Sequence, residues 1–517
     1  MNGADRLCDV LLAHDVEVCF ANPGTSEMHF VAALDRKPQM RCVLGLFEGV
    51  VTAAADGYAR MADKPAATLL HLGPGLANGL ANLHNARRAR TPMINIVGDH
   101  ASYHLQHDAP LTSDIESLAR PMSHWVGRAA SPDDVGPATA AAYRAAMSLP
   151  GVATLILPAD AAWGEITPSA IERTEAPAPA PVAADATRAA AAAIRSGRRT
   201  ALLMTGHALR AEALEIAGRI ADTAGVRLLA PMSNGRIERG LGRVAIEKVP
   251  YPVDEALEAL RDIDCLILIG AQVPVAFFAY PGKPGRLVRD DCDIIELARP
   301  GDNARHALAW LADEVGVTPG TPAPVVQRGT RLDHPRSGRL TADAISIAVA
   351  ALMPENAIIC DEAVTSGRRF FQSSRHSAPH DYIQLTGGAI GIGIPLAVGA
   401  AVACPDRKVI GLQADGSGMY TVQGLWTQAR ENLDIVTIVF ANRSYAILQG
   451  EMRNVGVQNF GRNAQRMLNI DDPSLDWVSL ANGTGVEAGR AETVEDFLRL
   501  FESALSRHGP FLIEAVI

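Results

Sequence analysis

Short, continuously apolar runs alternate with longer amphipathic stretches along most of the chain. Residues 66–70, 265–271 and 435–441 are examples of runs with the length of one buried strand, and residues 48–61 have the apolar spacing of a helix. Continuous apolar strands separated by helices are typical of parallel sheets that helices cover on both faces. The predicted fold class is therefore α/β, built from doubly wound parallel sheets. In such sheets ligands bind beyond the carboxyl ends of the strands, so candidate site residues should directly follow the apolar runs.

Two segments rich in proline interrupt this alternation. Residues 172–186 alternate alanine with proline, and residues 317–338 combine proline, glycine and charge. Both compositions favour an extended, weakly packed linker. Because 517 residues are too many for one ordinary core, we predict three domains at residues 1–170, 187–316 and 339–517.

Composition excludes several classes of partner. The net charge of −10 argues against nucleic acid and anionic membranes, and no apolar run approaches the roughly 20 residues of a membrane span. The N-terminal segment carries acids and no signal-peptide core. The seven cysteines are scattered and form no C-x-x-C pair, which indicates reduced thiols rather than disulfides or a zinc site. We expect a cytoplasmic protein that acts on small molecules.

Polar residues follow two apolar runs that lie one helical stretch apart. Asp415 ends the first run and Asn442 ends the second. If the two strands are neighbours, both side chains face one crevice, and their oxygens suit Mg²⁺ or Ca²⁺. Gly416 and Ser417 open a helix whose free N–H groups can meet a phosphate. A diphosphate cofactor bridged to a metal fits these features; an ordinary strand–helix turn capped by its polar residues is the alternative.

The spacing of these residues carries a resemblance. Asp-Gly-Ser followed by Asn 27 positions after the Asp resembles the thiamine-diphosphate motif of the pyruvate decarboxylase/acetolactate synthase superfamily. The resemblance implies that Asp415, Asn442 and the backbone carbonyl of Ser444 bind Mg²⁺, and that Gly416 and Ser417 belong to the cofactor site. The family usually has glycine where this chain has an alanine before the Asp, which narrows the backbone conformations available there.

A glycine-rich stretch, residues 387–403, precedes the metal motif. It fails as a Rossmann fingerprint because its glycines are in the wrong order and Pro395 follows them, which argues against a nicotinamide dehydrogenase. It is similar to the family segment in which a bulky aliphatic residue between glycines holds the cofactor bent. The resemblance assigns that role to Ile390 and implies that backbone groups of Gly388 and Ile390 meet the aminopyrimidine. A close-packed glycine-rich helix is compatible with the same residues.

In the N-terminal part, a single acid, Glu48, lies at the junction between an apolar run and an alanine-rich helix. A carboxyl there is expected to be partly desolvated; an acid stabilised by the helix dipole is the alternative. Residues 48–60 resemble the family's helix with the cofactor-activating glutamate, which implies that Glu48 protonates the pyrimidine ring. Residues 20–30 and 71–86 resemble the family's pocket-lining turn and Gly-Pro-Gly helix start. The resemblance covers nearly the whole chain, with pyrimidine-binding, central Rossmann-like and diphosphate-binding domains in that order.

Histidines are candidates for proton transfer because their side chains titrate near neutral pH. Similarity to benzoylformate decarboxylases assigns His71 and Thr25 to the pocket. The second pocket histidine of those enzymes has no counterpart, since residues 277–278 are phenylalanines. His104 and His107 lie in a loop that resembles the histidine-bearing loop of pyruvate decarboxylases; histidines of a surface loop are the alternative.

The resemblance implies a reaction class. It is that of a thiamine diphosphate- and Mg²⁺-dependent decarboxylase or carboligase of 2-oxo acids, acting through a C2 carbanion and an enamine in a homodimer or homotetramer. An acetolactate synthase that condenses pyruvate, with or without a bound flavin, is the alternative, although no glycine-rich fingerprint indicates FAD. A non-catalytic relative is a third reading, against which Glu48 and the complete metal motif argue. Glu451 and Arg453 indicate an acidic or polar substrate, unless they are solvated helix charges.

Overall fold

The structure, a computed structural model, describes residues 1–148, 150–327 and 333–517. Its strands form three sheets of six, five and seven strands, in which all pairings but one are parallel. The predicted α/β class with doubly wound parallel sheets is confirmed. The domain limits given above remain a prediction, and part of the predicted linker at residues 317–338 lies outside the described residues.

The first sheet is entirely parallel, in the order β2-β1-β3-β4-β6-β5. Its strands are β1 (Val18–Asn22), β2 (Arg41–Leu44), β3 (Ala66–Leu70), β4 (Met93–Asp99), β5 (Trp125–Arg128) and β6 (Val152–Pro158). The helices of this part are α1 (Gly3–Ala13), α2 (Met28–Asp35), α3 (Glu48–Ala62), α4 (Leu72–Ala89), α5 (Ile115–Ala119), α6 (Val135–Ser148) and α7 (Ala159–Trp163). The central strands are buried on both faces because helices cover both sides, as their continuous apolar runs require.

The middle of the chain contributes a second parallel sheet and one strand that leaves it. The strands are β7 (Thr200–Met204), β8 (Arg227–Ala230), β9 (Ile237–Arg239), β10 (Glu247–Lys248), β11 (Cys265–Ile269) and β12 (Asp293–Ala298). The helices are α8 (Ala184–Arg195), α9 (Ala211–Ala224), α10 (Val253–Leu260) and α11 (Ala304–Glu314). The second sheet has the order β10-β8-β7-β11-β12, and β9 joins the third sheet instead.

The third sheet has the order β17-β18-β16-β15-β13-β14-β9. Its own strands are β13 (Ala357–Glu362), β14 (His380–Gln384), β15 (Val409–Ala414), β16 (Ile435–Ala441), β17 (Glu487–Ala491) and β18 (Phe511–Val516). The helices are α12 (Ala342–Leu352), α13 (Phe370–Ser373), α14 (Gly393–Ala403), α15 (Asp415–Gly418), α16 (Gly424–Arg430), α17 (Ala446–Asn454), α18 (Arg462–Leu468), α19 (Trp477–Gly483) and α20 (Val494–Leu505). Only β9 is antiparallel, along β14.

Helices α3 and α14 cross with their backbones in contact. A Cβ atom on Gly399 would lie 1.8 Å from the carbonyl oxygen of Ala54, and one on Gly57 would lie 2.1 Å from that of Leu396. No side chain fits at such distances, so both positions require glycine. This crossing fixes the first residue of α3, Glu48, relative to the loop that precedes α14.

Two further expectations can be compared with the structure. No helix in the described ranges has both the length and the apolar character to cross a membrane. All seven cysteines are free, and five of them are buried. The expected absence of disulfides therefore agrees with the structure.

Candidate active site

Asp415 and Asn442 lie side by side at the carboxyl ends of two neighbouring strands of the third sheet. Strands β15 and β16 are parallel neighbours, with Ala414 paired to Phe440. The backbone N–H of Arg443 donates to Asp415 Oδ2 at 2.6 Å, so the two strand ends are in direct contact. The backbone N–H of Ser444 donates to Asn442 Oδ1 at 2.9 Å. The predicted adjacency of the two polar strand ends is confirmed.

The carboxylate of Asp415 is buried and forms no ion pair with any side chain in the described ranges. Its residue is 3% exposed, and burial raises the pKa of this carboxyl above its ordinary value, although backbone N–H donors act in the other direction. Its hydrogen bonds come from the backbone N–H groups of Arg443 and Gly416. A buried carboxylate with only neutral donors is costly, and the carboxylate and amide oxygens here are the kind that Mg²⁺ prefers. These residues therefore fit a bound Mg²⁺.

The turn that follows Asp415 differs from the expected helix start. Helix α15 spans only Asp415–Gly418, and regular helix resumes at α16. Ala414 has φ −76° and ψ 144°, an extended conformation that any residue adopts, so alanine in place of the family's glycine causes no strain. A Cβ on Gly416 would lie 2.5 Å from the ring of Tyr445. The bare backbone of Gly416 thus lets this aromatic ring pack closely on the turn.

The loop that carries Gly388 and Ile390 is held by a buried acid. Glu362, at the end of β13, accepts the backbone N–H groups of Gly391 and Gly393 at 2.7 Å each and that of Ile392 at 3.2 Å. Burial raises the pKa of Glu362, whereas the hydrogen bonds from these backbone N–H groups act to lower it. Sequence reasoning missed Glu362, although it follows an apolar run in the same way as Asp415. The acid fixes the backbone that presents Ile390.

Helix α4 connects this loop to the start of α3. Asn85 donates to the carbonyl of Ala389 at 2.7 Å and accepts the backbone N–H of Gly387 at 3.0 Å. Asn82 donates to the carbonyl of Gly49 at 2.9 Å. Two buried asparagines therefore tie the glycine-rich loop of the third sheet to the backbone next to Glu48.

Glu48 and His71 lie close together at the carboxyl ends of strands in the first sheet. Glu48 is 8% exposed, and Asn78 donates to its Oε2 at 3.0 Å. A Cβ on Gly75 would lie 3.2 Å from Glu48 Oε1 and 3.3 Å from His71 Cβ. The expected desolvation of Glu48 is confirmed, and its carboxyl shares one small space with His71.

His71 contacts a buried acid that the sequence analysis did not single out. His71 Nδ1 lies 2.8 Å from Glu27 Oε2, and Glu27 is 3% exposed. The hydroxyl of Ser26 and the backbone N–H of Gly24 also donate to this carboxylate. Thr25, in the same turn, is exposed. The structure therefore places His71 beside both Glu27 and Glu48, and Thr25 in the turn that carries Glu27.

His104 and His107 do not join this group. Both are exposed on the short helix Ser102–His107, with ring centroids 5.4 Å apart. Their position agrees with the alternative interpretation, histidines of a surface loop.

A cavity of about 1390 Å³ lies between the second and third sheets. Gly388, Ile390 and Tyr445 line it, as does Phe277, whose ring packs where a Cβ of Gly388 would lie. Among the described residues, no lining residue precedes Ala221. Glu48, His71 and Thr25 thus lie outside this cavity, although Glu48 and the loop carrying Ile390 are tied to one another through α4.

Two parts of the chain match one protein family. Residues 1–118 match the thiamine pyrophosphate enzyme N-terminal TPP binding domain, and residues 364–515 match the C-terminal TPP binding domain. The chain belongs to the thiamine pyrophosphate enzymes, and thiamine diphosphate is the cofactor of these domains. The family suggested by the sequence motifs is confirmed.

Individual relatives span the whole chain. It is 49% identical to a Mycobacterium tuberculosis protein named "Putative acetolactate synthase large subunit IlvX", covering 100% of this chain and 99% of that one. It is 28% identical to benzoylformate decarboxylase of Pseudomonas aeruginosa, covering 98% and 97%. In fold it is similar to a Rhodococcus jostii thiamine diphosphate-dependent 4-hydroxybenzoylformate decarboxylase, with a TM-score of 0.86, 24% identity and 99% and 98% coverage.

Proposed function

We propose that this protein is a thiamine diphosphate- and Mg²⁺-dependent decarboxylase or carboligase of 2-oxo acids. The observation that carries the proposal is the position of Asp415 and Asn442 at the ends of two neighbouring strands, where the buried carboxylate of Asp415 forms no ion pair among the described residues. In a family that binds thiamine diphosphate, such an edge is suited to a metal that bridges to the diphosphate.

Each part of the cofactor has a proposed partner. Asp415, Asn442 and the carbonyl of Ser444 would hold Mg²⁺, while Gly416 and Ser417 would bind the diphosphate. Gly388 and Ile390 would hold the pyrimidine. When bound, the cofactor supplies the electron sink that loss of CO₂ from a 2-oxo acid requires.

The side chains on the first sheet are proposed to move protons. Glu48, oriented by Asn78, would share a proton with the pyrimidine ring. His71, oriented by Glu27, would exchange a proton with the substrate. The hydroxyl of Thr25 would bind the substrate near His71. His107 is a weaker candidate because it lies exposed on its loop.

The proposed active form is a homodimer or homotetramer. The cavity with Ile390 and Tyr445 has no lining residue from the described part of the chain before residue 221. A second subunit would bring its own Glu48 and His71 to this cavity. Leu46, two residues before Glu48, is 48% exposed, and Tyr420, which lines the cavity, is 53% exposed. These exposed apolar side chains support a surface that a second subunit covers. An active monomer in analytical sedimentation would contradict this proposal.

Acetolactate synthesis is a second candidate. It is supported by the 49% identity to a protein whose name contains that activity. A flavin would make the purified protein yellow, so a colourless active preparation excludes the flavin-bound form. The proposed cytoplasmic location rests on the free thiols.

A product-resolved screen tests the proposed function. Aliphatic, aromatic and acidic 2-oxo acids are incubated with the protein, thiamine diphosphate and Mg²⁺, and aldehydes, acyloins and CO₂ are measured. Glu48→Gln should abolish turnover while Glu116→Gln, at an exposed helix position, should not. Full activity of Glu48→Gln would refute the assigned role.

A further inference from the structure

Two cations that line the large cavity form no ion pair within the described parts of the chain: Arg239, which is buried, and Lys248, which is half-buried. Arg239 is 7% exposed, and its Nη2 donates to the carbonyl oxygen of Phe371 at 2.5 Å. Lys248 Nζ donates to the side-chain carbonyl of Gln384 at 3.2 Å. These acceptors are neutral, and Arg239 Nη1 has no acceptor among the described residues. Withdrawing cations wholly or partly from water with only neutral partners is costly, so this part of the cavity favours the binding of an anion.

Both cations lie near the same aromatic ring. The guanidinium carbon of Arg239 lies 3.5 Å from the ring centroid of Phe371, and Lys248 Nζ lies 4.7 Å from the same centroid. Tyr382 is the second ring near both. Burial lowers the pKa of Lys248 to about 8 and that of Arg239 to about 9. An aromatic face reduces the cost of burying a cation but does not neutralise its charge.

Three of the acids that line this cavity have other partners. Asp361, the acid that acts on Lys248, accepts the Tyr382 hydroxyl at 2.6 Å, and burial raises its pKa above the ordinary value. Glu451 accepts the hydroxyls of two tyrosines, and Glu247 is paired with Arg227. None of the three forms an ion pair with Arg239 or Lys248 among the described residues.

We propose that Arg239 and Lys248 form a binding site for the carboxylate or phosphate group of a small acidic ligand. The site belongs to the same cavity as Gly388, Ile390 and Tyr445. The ligand would be either a substrate with a second acidic group or a separate small anion. That the anion belongs to the substrate rests on the proposed function; the existence of the anion site does not.

The test uses full-length protein loaded with thiamine diphosphate and Mg²⁺. Its melting temperature is measured with glutarate, inorganic phosphate and butyrate at equal ionic strength. We expect glutarate and phosphate to raise the melting temperature more than butyrate does. Lys248→Met should weaken the affinity for both anions at least about tenfold, which corresponds to about 1.4 kcal/mol. Arg227→Met, in the same cavity but already paired with Glu247, is the matched control and should bind them like wild type.

A measurement on the wild-type protein covers the case in which Lys248→Met fails to fold. Acylation of lysines is followed by mass spectrometry with and without glutarate. Glutarate should slow the labelling of Lys248 and leave that of Lys64, which is paired with Glu17 and does not line the cavity, unchanged. Equal labelling of Lys248 with and without glutarate, or equal anion affinity in Lys248→Met, would overturn the anion site.

Kinetics then distinguish the two sources of the anion. If the substrate supplies it, Lys248→Met raises KM for 2-oxoglutarate at least about tenfold and leaves KM for 2-oxobutanoate unchanged. If a separate anion binds, glutarate protects Lys248 while neither KM depends on that side chain. Both results support the site. Absence of stabilisation by thiamine diphosphate would defeat the proposed function instead, and Lys248 labelling would still decide the anion site.

Discussion

The imidazole of His71 is held by the buried carboxylate of Glu27, with Nδ1 and Oε2 2.8 Å apart. A Cβ on Gly24 would lie 2.2 Å from the imidazole ring. The glycine therefore lets the turn close over the ring, while the acid fixes which nitrogen faces it. Such an arrangement leaves the second ring nitrogen of His71 free to act on another molecule.

Replacing this acid by its amide should loosen the turn. Glu27→Gln removes a charge-assisted acceptor of three donors, and we expect a loss of about 2 kcal/mol in the free energy of unfolding. Urea denaturation checks this value. Glu116→Gln, at an exposed pair with Arg120, should change stability by less than about 0.5 kcal/mol. If Glu27 positions His71, the effects of Glu27→Gln and His71→Asn on kcat/KM will be non-additive; additive effects would contradict that role.

Close contact of α3 and α14 should make Gly399 intolerant of any side chain. Gly399→Ala places a Cβ against the Ala54 carbonyl, so we expect a loss of about 3 kcal/mol in the free energy of unfolding or failure to fold. Gly450→Ala in α17 is the control, because no atom lies within 4 Å of its Cβ position. Better helix propensity should stabilise that variant by up to about 1 kcal/mol. Wild-type stability of Gly399→Ala would disprove the backbone contact.

The buried His380 should make stability fall at acid pH. Burial is the main cause that lowers its pKa from 6.5 to about 3, and nearby Arg239 acts in the same direction, whereas Asp381 and the Ala378 carbonyl oppose it. The unfolded chain therefore binds one more proton than the folded chain between these values, and stability is lost as the pH falls below 6.5. From pH 7 to pH 5 this residue should cost about 2 kcal/mol.

Urea denaturation at these two pH values measures that loss. His380→Gln should lose about 2 kcal/mol less than wild type across the interval, and the exposed His306→Gln should lose as much as wild type. The same pH dependence in His380→Gln and wild type would assign the effect to other groups.

Removing the metal should release the cofactor. We expect EDTA to abolish thiamine diphosphate binding in isothermal titration calorimetry and Mg²⁺ to restore it. Asp415→Asn keeps an oxygen but loses its charge, and should weaken cofactor binding at least about tenfold, or about 1.4 kcal/mol. Asp434→Asn, at the opposite end of β16 and paired with Lys408, is the matched control. Unchanged cofactor affinity in Asp415→Asn would remove that residue from the metal site.

Much of the fold follows from apolar runs because interior strands are buried on both faces. β3, β11 and β16 are such strands, and β16 also placed Asn442 correctly beside Asp415. The strands β5, β12 and β17 gave no such run because they lie at sheet edges and carry partly exposed side chains. Their polarity is a consequence of position, which only the assembled sheet defines.

The candidate site was predictable where its residues have the spacing of a known sequence motif. Glu27 and Glu362 were not predicted because their partners are distant in sequence. Glu362 accepts hydrogen bonds from a loop about 30 residues away, and Glu27 contacts His71, which follows two strands later in the chain. Arg239 and Lys248 were not predicted as site residues because charged residues in a short polar segment are usually solvated. Folding withdraws all four side chains wholly or partly from water, which the sequence does not show.

The crossing of β9 into the third sheet has a consequence for dissecting the protein. β9 covers the otherwise open edge of β14 with three paired residues. A fragment that starts at residue 339 would expose the backbone of His380, Asp381 and Tyr382 as a template for foreign strands. Expressing the C-terminal third by itself should therefore give aggregates, and a useful truncation has to begin before Ile237.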